Sequence, residues 1–131
     1  MATSPTARTL KVLREAGWPA QVVERWCQFS RRRKDLFGCI DIVALINGNV
    51  VGIQACAGSS HAARRKKSQD EPLLKDWLSC GALFVVWSWA KQGPVGKAKR
   101  WTFRIEGLKN DTETVDVEAD WLKRAQQIHA D

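Results

Sequence analysis

The chain has 131 residues, enough for one domain with its own core and no covalent staples. Hydrophobic residues make up 44%, which excludes wholesale disorder, and no apolar run approaches the roughly 20 residues that span a bilayer. Lys and Arg number 21 against 14 Asp and Glu, a formal charge of +7. That surplus suits a polyanionic partner: DNA, RNA or an acidic membrane surface. The plainer alternative is charge that only keeps the protein in solution.

Met1-Ala-Thr-Ser-Pro-Thr6 contains no apolar signal region, so a protein of the reducing cytosol is expected. Cys27, Cys39, Cys56 and Cys80 stand alone, without a Cys-x-x-Cys pair, and His61 and His129 lie far apart. A structural zinc site is not expected; buried free thiols are.

In chain order, residues 6–16 read as a helix that Gly17 stops. Residues 20–29 alternate and read as one strand, followed by a basic loop, Ser30-Arg-Arg-Arg-Lys-Asp35. Residues 39–46 and 50–56 are two strands around Asn47-Gly48-Asn49, a strong hairpin signal. Gly58-Ser59-Ser60 ends the second strand and caps a basic helix from His61, where His61 is expected to help the cap. A second helical piece runs over 72–80, after Asp70 as its capping residue, and stops at Gly81. Residues 82–89 are almost wholly apolar, as in a strand covered on both faces. Residues 91–100 form a basic Gly/Pro loop, 101–105 an edge strand and 118–130 a last helix. The order α-β-β-β-α-β-β-α predicts a single α/β domain over 1–131, with a mixed sheet flanked by helices.

The turn predicts a register, which a shift to Gly48-Asn49 would leave with Asp41, Gln54 and Cys56 on one face and a three-residue turn would break. With Asn47 and Gly48 as the two central residues, Ile46 faces Asn49, Asp41 faces Gln54 and Cys39 faces Cys56. Asp41 sits in an otherwise apolar run, and an acid there needs a partner or a metal. Two oxygen-bearing side chains at cross-strand distance can share a hard divalent cation. The ordinary alternative is the polar edge of a half-exposed hairpin.

Asp35-Leu-Phe-Gly-Cys-Ile-Asp41-Ile-Val-Ala-Leu, followed by Val51-Gly-Ile-Gln54-Ala-Cys56, resembles the PD-(D/E)XK nuclease superfamily. Within it the chain is most similar to archaeal-type and phage Holliday junction resolvases, over roughly residues 6–90. The resemblance implies a restriction-endonuclease-like fold, Mg²⁺ or Mn²⁺ as cofactor, a homodimer, and hydrolysis of phosphodiester bonds in branched DNA. It implies Asp41 and Gln54 as metal ligands, with the Ala55 carbonyl as a backbone ligand. Glu15 on the first helix would be a further acidic ligand, with Glu24 as its rival. Cys56 departs from the pattern, because the family has lysine there. A basic group from the following helix, Arg64 or by preference Lys66 or Lys67, would replace it.

Three basic segments bracket this hairpin: Arg31, Arg32, Arg33 and Lys34; Arg64 and Arg65 with the two lysines; and Lys97, Lys99 and Arg100. They are expected to hold the phosphate backbone with little sequence preference. Trp87 and Trp89 share one strand face, and Trp26, Trp77 and Trp121 have core-like spacing, although an exposed tryptophan would be free to stack on an unpaired base. Two other readings stand beside the nuclease. One is a nuclease-fold DNA-binding module without catalysis, favoured by Cys56. The other is an RNA-binding domain, favoured by charge and aromatics.

Overall fold

A computed structural model describes residues 3–109 and the backbone of residues 113–115. The expected helix over 118–130, with Trp121, lies outside the described residues.

Helix α1 (Pro5–Glu15) starts where sequence chemistry asks: the Ser4 side chain accepts the Ala7 N–H at 3.1 Å and Pro5 opens the first turn. It buries Thr9, Val12 and Leu13 and ends before Gly17, whose φ is +83°. The span read as one strand is two. β1 (Ala20–Val22) joins the main sheet, while β2 (Arg25–Cys27) leaves it. The break is local: the Val23 and Glu24 N–H groups both donate to the Asp41 carbonyl, at 2.8 and 3.4 Å, which ends the ladder. The basic segment is likewise not a loop throughout. Arg32–Lys34 forms β3 and pairs antiparallel with β2 as a separate two-stranded sheet.

Next comes a tight reversal. Leu36 bridges Ile40 across Phe37 (φ +52°) and Gly38 (φ +78°), returning the chain so that Asp35 and Asp41 flank its two ends. The predicted hairpin follows as β4 (Ile42–Ile46) and β5 (Asn49–Ala57). Asn47 and Gly48 carry φ of +51° and +82°, the double left-handed geometry of a two-residue turn. Ile46 pairs with Asn49 and Ile42 with Ile53, so the register is the one the sequence predicts. It stops there: the Asp41 N–H donates to the Ile53 carbonyl at 2.8 Å, one residue off the predicted Asp41–Gln54 pairing, so the backbone steps out of register at Asp41 although its side chain still reaches Gln54.

A short 3₁₀ turn at Gly58–Ser60 leads into α2 (His61–Gln69), and α3 (Pro72–Ser79) follows. Ser60 makes no side-chain cap to α2. Glu71, not Asp70, caps α3 by accepting the Leu73 N–H. β6 (Leu83–Gln92) crosses over to lie parallel to β5, and β7 (Arg100–Lys109) pairs antiparallel with β6. β7 is no edge strand, because β8 (Glu113–Val115) pairs with it outside. The main sheet runs β1-β4-β5-β6-β7-β8, mixed and flanked by helices, in the general restriction-endonuclease-like arrangement.

Alternation along the strands makes two cores. Ile42, Ala44, Val51, Ile53, Trp87 and Trp89 face α1. Ile40, Cys56, Phe84, Val86 and Leu108 form the other core with Leu74 of α3. Each fully buried aliphatic or aromatic side chain contributes about 1.5–3 kcal/mol. The tryptophans divide accordingly. Trp18, Trp87 and Trp89 are core, and Trp77 is half-buried with its Nε1 donating to the Leu83 carbonyl at 2.8 Å. Trp26, expected in the core, is 56% exposed because β2 has left the main sheet. No helix among the described residues is long and apolar enough to cross a membrane.

Candidate metal centre

Asp41, immediately before β4, and Gln54 on β5 meet at the open end of the hairpin, where Thr6 of α1 also lines the site. Both are almost fully buried, at 3% and 2% exposure. The Asp41 Oδ2 accepts the Gln54 Nε2 at 2.6 Å and the Ala55 N–H at 2.9 Å. The other end of the Gln54 amide, Oε1, is buried with no hydrogen-bond partner.

Glu24, just before β2, and Asp35, just after β3, complete the site. Ligand oxygens of Glu24, Asp35 and Asp41 all lie within 4.8 Å of one another. Three carboxylates this close repel, and the cost falls on the most buried. The Asp41 carboxyl is pushed up from 3.8 to about 8, first by burial, then by the hydrogen bond and charge of Asp35 and the charge of Glu24. The Ala55 N–H opposes this by favouring the carboxylate. Basic groups stand at the rim. Lys67 Nζ lies 3.5 Å from Asp35 Oδ2, and Arg33 Nη1 lies 3.4 Å from Glu24 Oε1. Together with Arg64, Gln54 and Ala55 they line a cleft of about 250 Å³.

The donor set fits a hard divalent cation. Every candidate ligand atom is oxygen, which suits Mg²⁺ or Mn²⁺ rather than zinc. The buried, unpartnered Gln54 Oε1 is an oxygen that a cation would satisfy. Cysteine chemistry is elsewhere: burial pushes Cys56 up to about 11 and Cys39 up to about 12, so both stay neutral thiols. Among the described residues no cysteine joins a metal-ligating cluster.

Sequence reasoning placed some of these groups and missed others. Asp41, Gln54 and Ala55 lie together in the cleft, where Ala55 was expected to offer its carbonyl and its N–H instead bonds Asp41 Oδ2, and Lys67 and Arg64 reach the same cleft from α2. Glu15 does not: it sits on α1, half-exposed, 3.9 Å from Lys11 of the previous turn. Its rival Glu24 takes the place. Lys66 points elsewhere, to Asp70 at 3.4 Å, because one helical step of about 100° separates it from Lys67. Asp35 lay within the motif but received no role; the signal for it was Phe37-Gly38, which turns the chain back on itself. Arg31, Arg32 and Lys34 are exposed on or beside β3, and of that segment only Arg33 lines the cleft. Lys97, Lys99 and Arg100 are exposed in and after the β6–β7 connection and do not line it.

Arg65 turns instead to Glu106, at 3.3 Å, as part of a second buried network. The His61 side chain does not cap α2. Its Nδ1 is 2.6 Å from Ser88 Oγ and its Nε2 is 3.1 Å from Glu106 Oε1. A neutral imidazole satisfies both contacts, donating to Glu106 and accepting from Ser88. Burial lowers the His61 pKa, in keeping with that form. The network locks α2 to β6 and β7, so Lys67 and Arg64 on the helix's other flank face the carboxylates.

The chain thus combines a mixed α/β sheet with an acidic triad positioned to chelate a metal ion. No family model, curated protein or solved structure matches it.

Proposed function

We propose that the protein is a metal-dependent nuclease of the PD-(D/E)XK type, hydrolysing phosphodiester bonds in DNA, with branched DNA as its substrate. The observation that carries this reading is one polar cleft in which three clustered carboxylates face Lys67, Arg64 and Arg33. Acids to hold a cation and bases to hold a phosphate are the two requirements of the reaction.

Glu24, Asp35, Asp41 and Gln54 would hold the cation. When bound, a divalent cation supplies Lewis acidity toward a phosphoryl oxygen and makes water more acidic. Lys67, held by Asp35 at 3.5 Å, would supply the positive charge that the motif lysine gives the superfamily. Arg64 and Arg33 bind flanking phosphates and orient the scissile bond. Two copies of the chain would offer one such cleft to each of two strands at a junction.

The test incubates the protein with four-way junction, duplex and single-stranded DNA, with Mg²⁺, with Mn²⁺ and with EDTA. Metal-dependent cutting of the junction is expected, and Asp41→Asn should bind the same DNA without cutting it. Equal cleavage by mutant and parent would overturn the assignment. A second reading, a DNA-binding module that has lost catalysis, draws on the neutral Cys56 thiol at the motif lysine position. It predicts junction binding with no cleavage under any metal.

A further inference from the structure

The β2–β3 hairpin belongs to neither core and forms a sheet of its own. An isolated two-stranded hairpin is marginal in water, and this one sets like charges opposite each other, with Arg25 across from Lys34. Arg25, Arg31, Arg32 and Lys34 are all exposed. Among the described residues its one ion pair is Arg33 with Glu24. So concentrated a charge is stabilised by a polyanion and by little in the protein itself. Two aromatics accompany it: Trp26, 56% exposed, and Phe29, fully exposed at the turn. The hairpin also springs from the acidic cluster. Glu24 immediately precedes β2 and Asp35 immediately follows β3. Trp26 is the cross-strand partner of Arg33, so the two share a hairpin face, and Arg33 lines the cleft.

We propose that this hairpin holds unpaired DNA bases beside the cleft, with Trp26 and Phe29 as stacking surfaces and the basic residues gripping the backbone. The choice of DNA as occupant rests on the nuclease reading; the preference for unpaired bases rests on the hairpin. Phosphate contacts alone do not distinguish single strands from duplex, whereas a base already stacked within a duplex has no face to offer an aromatic ring. The aromatics therefore confer the preference, and the arginines and Lys34 the salt-dependent affinity.

The test is fluorescence anisotropy with a labelled oligothymidylate and a labelled duplex of equal length, in EDTA, at fixed salt. The parent chain should bind the single strand more tightly. Trp26→Ala should weaken single-strand binding about tenfold, the loss of one stacked base, and leave duplex binding within about twofold. Trp26→Phe should restore most of the difference. Phe29→Ala, at a fully exposed position, is a second variant that removes no core packing. Equal loss on both DNAs, or no loss on either in both alanine variants, would overturn the proposal. So would tighter binding of an oligouridylate than of the oligothymidylate. Because no divalent cation is present, the outcome is independent of catalysis. Selective stacking without cleavage in Mg²⁺ would sink the nuclease reading and keep the hairpin. Cleavage with no dependence on Trp26 or Phe29 in these assays would do the reverse.

Discussion

Asp41→Asn should make the metal-free protein relatively more stable as pH rises. Asn keeps the shape of the carboxyl and removes its ionisation. In the native chain the Asp41 carboxyl is pushed up from 3.8 to about 8, mainly by burial and by Asp35. Because the native value lies above the unfolded one, the stabilisation is complete below about pH 4 and is lost as pH rises toward 8. Within that window the native cluster keeps one proton that the unfolded chain has released. Stability then falls by about 1.4 kcal/mol per pH unit, or about 3 kcal/mol between pH 5 and pH 7. That is a large share of a typical total of about 5–15 kcal/mol. Urea denaturation of parent and mutant, in EDTA at pH 5, 6 and 7, reads the difference directly. Groups common to both chains, His61 included, cancel. The stability gap should open in favour of the mutant with rising pH and level off above pH 8. Mg²⁺ should narrow it by stabilising the parent alone. A gap that does not change with pH would refute the description of a strained acidic cluster.

Lys67→Ala should lower turnover on DNA about 100-fold or more while changing affinity little. Lys66→Ala, which removes only the exposed contact to Asp70, should leave turnover unchanged. Adding Cys56→Lys to Lys67→Ala should recover part of the rate in the same single-turnover assay, and a purely affinity-based loss would make Lys67 a phosphate clamp. His61→Asn should cost about 1–3 kcal/mol by leaving the buried Ser88 hydroxyl without its partner and taking one of the contacts to Glu106. Because burial sets the native His61 value below its ordinary 6.5, the parent loses stability as pH falls below 6.5. Melting curves from pH 7 to pH 5 should lack that component in the variant. Gly52→Ala should destabilise by about 1–3 kcal/mol, since its Cβ would lie 2.9 Å from Ile40 Cδ1 and 3.1 Å from Trp77 Cζ2; an unchanged urea midpoint would refute that packing.

Local chemistry made the hairpin legible. Asn47-Gly48 fixes a two-residue turn, and strand alternation then carries the register from Ile46–Asn49 to Ile42–Ile53 without tertiary information. The same reasoning failed one element earlier for a physical reason. The β2–β3 reversal places its left-handed residue at Arg31, φ +52°, where no glycine or asparagine marks it. Four consecutive basic residues there read as solvated loop. Without that hairpin the meeting of Glu24 with Asp35 was invisible, because the two are eleven residues apart and only the β2–β3 pairing brings them together. Glu15 looked as good as Glu24 on charge alone; only the path of the chain, with Val23 and Glu24 bonded to the Asp41 carbonyl, separates them. The network of His61, Ser88 and Glu106 joins residues 27 and 45 positions apart, and no local pattern announces it. β7 looked like an edge because its partner β8 is a three-residue strand with little periodic signal.

Titration calorimetry with Mn²⁺ at pH 8 tests most directly whether Glu24, Asp35 and Asp41 form a cation site. The parent chain should bind one ion and release about half a proton, because a carboxyl pushed up to about 8 is half ionised at that pH, so that the measured heat depends on the ionisation enthalpy of the buffer. Asp41→Asn should lose that binding, while Glu15→Gln should retain it in full. Equal Mn²⁺ affinity in the parent and Asp41→Asn, or loss of binding in Glu15→Gln, would contradict the site.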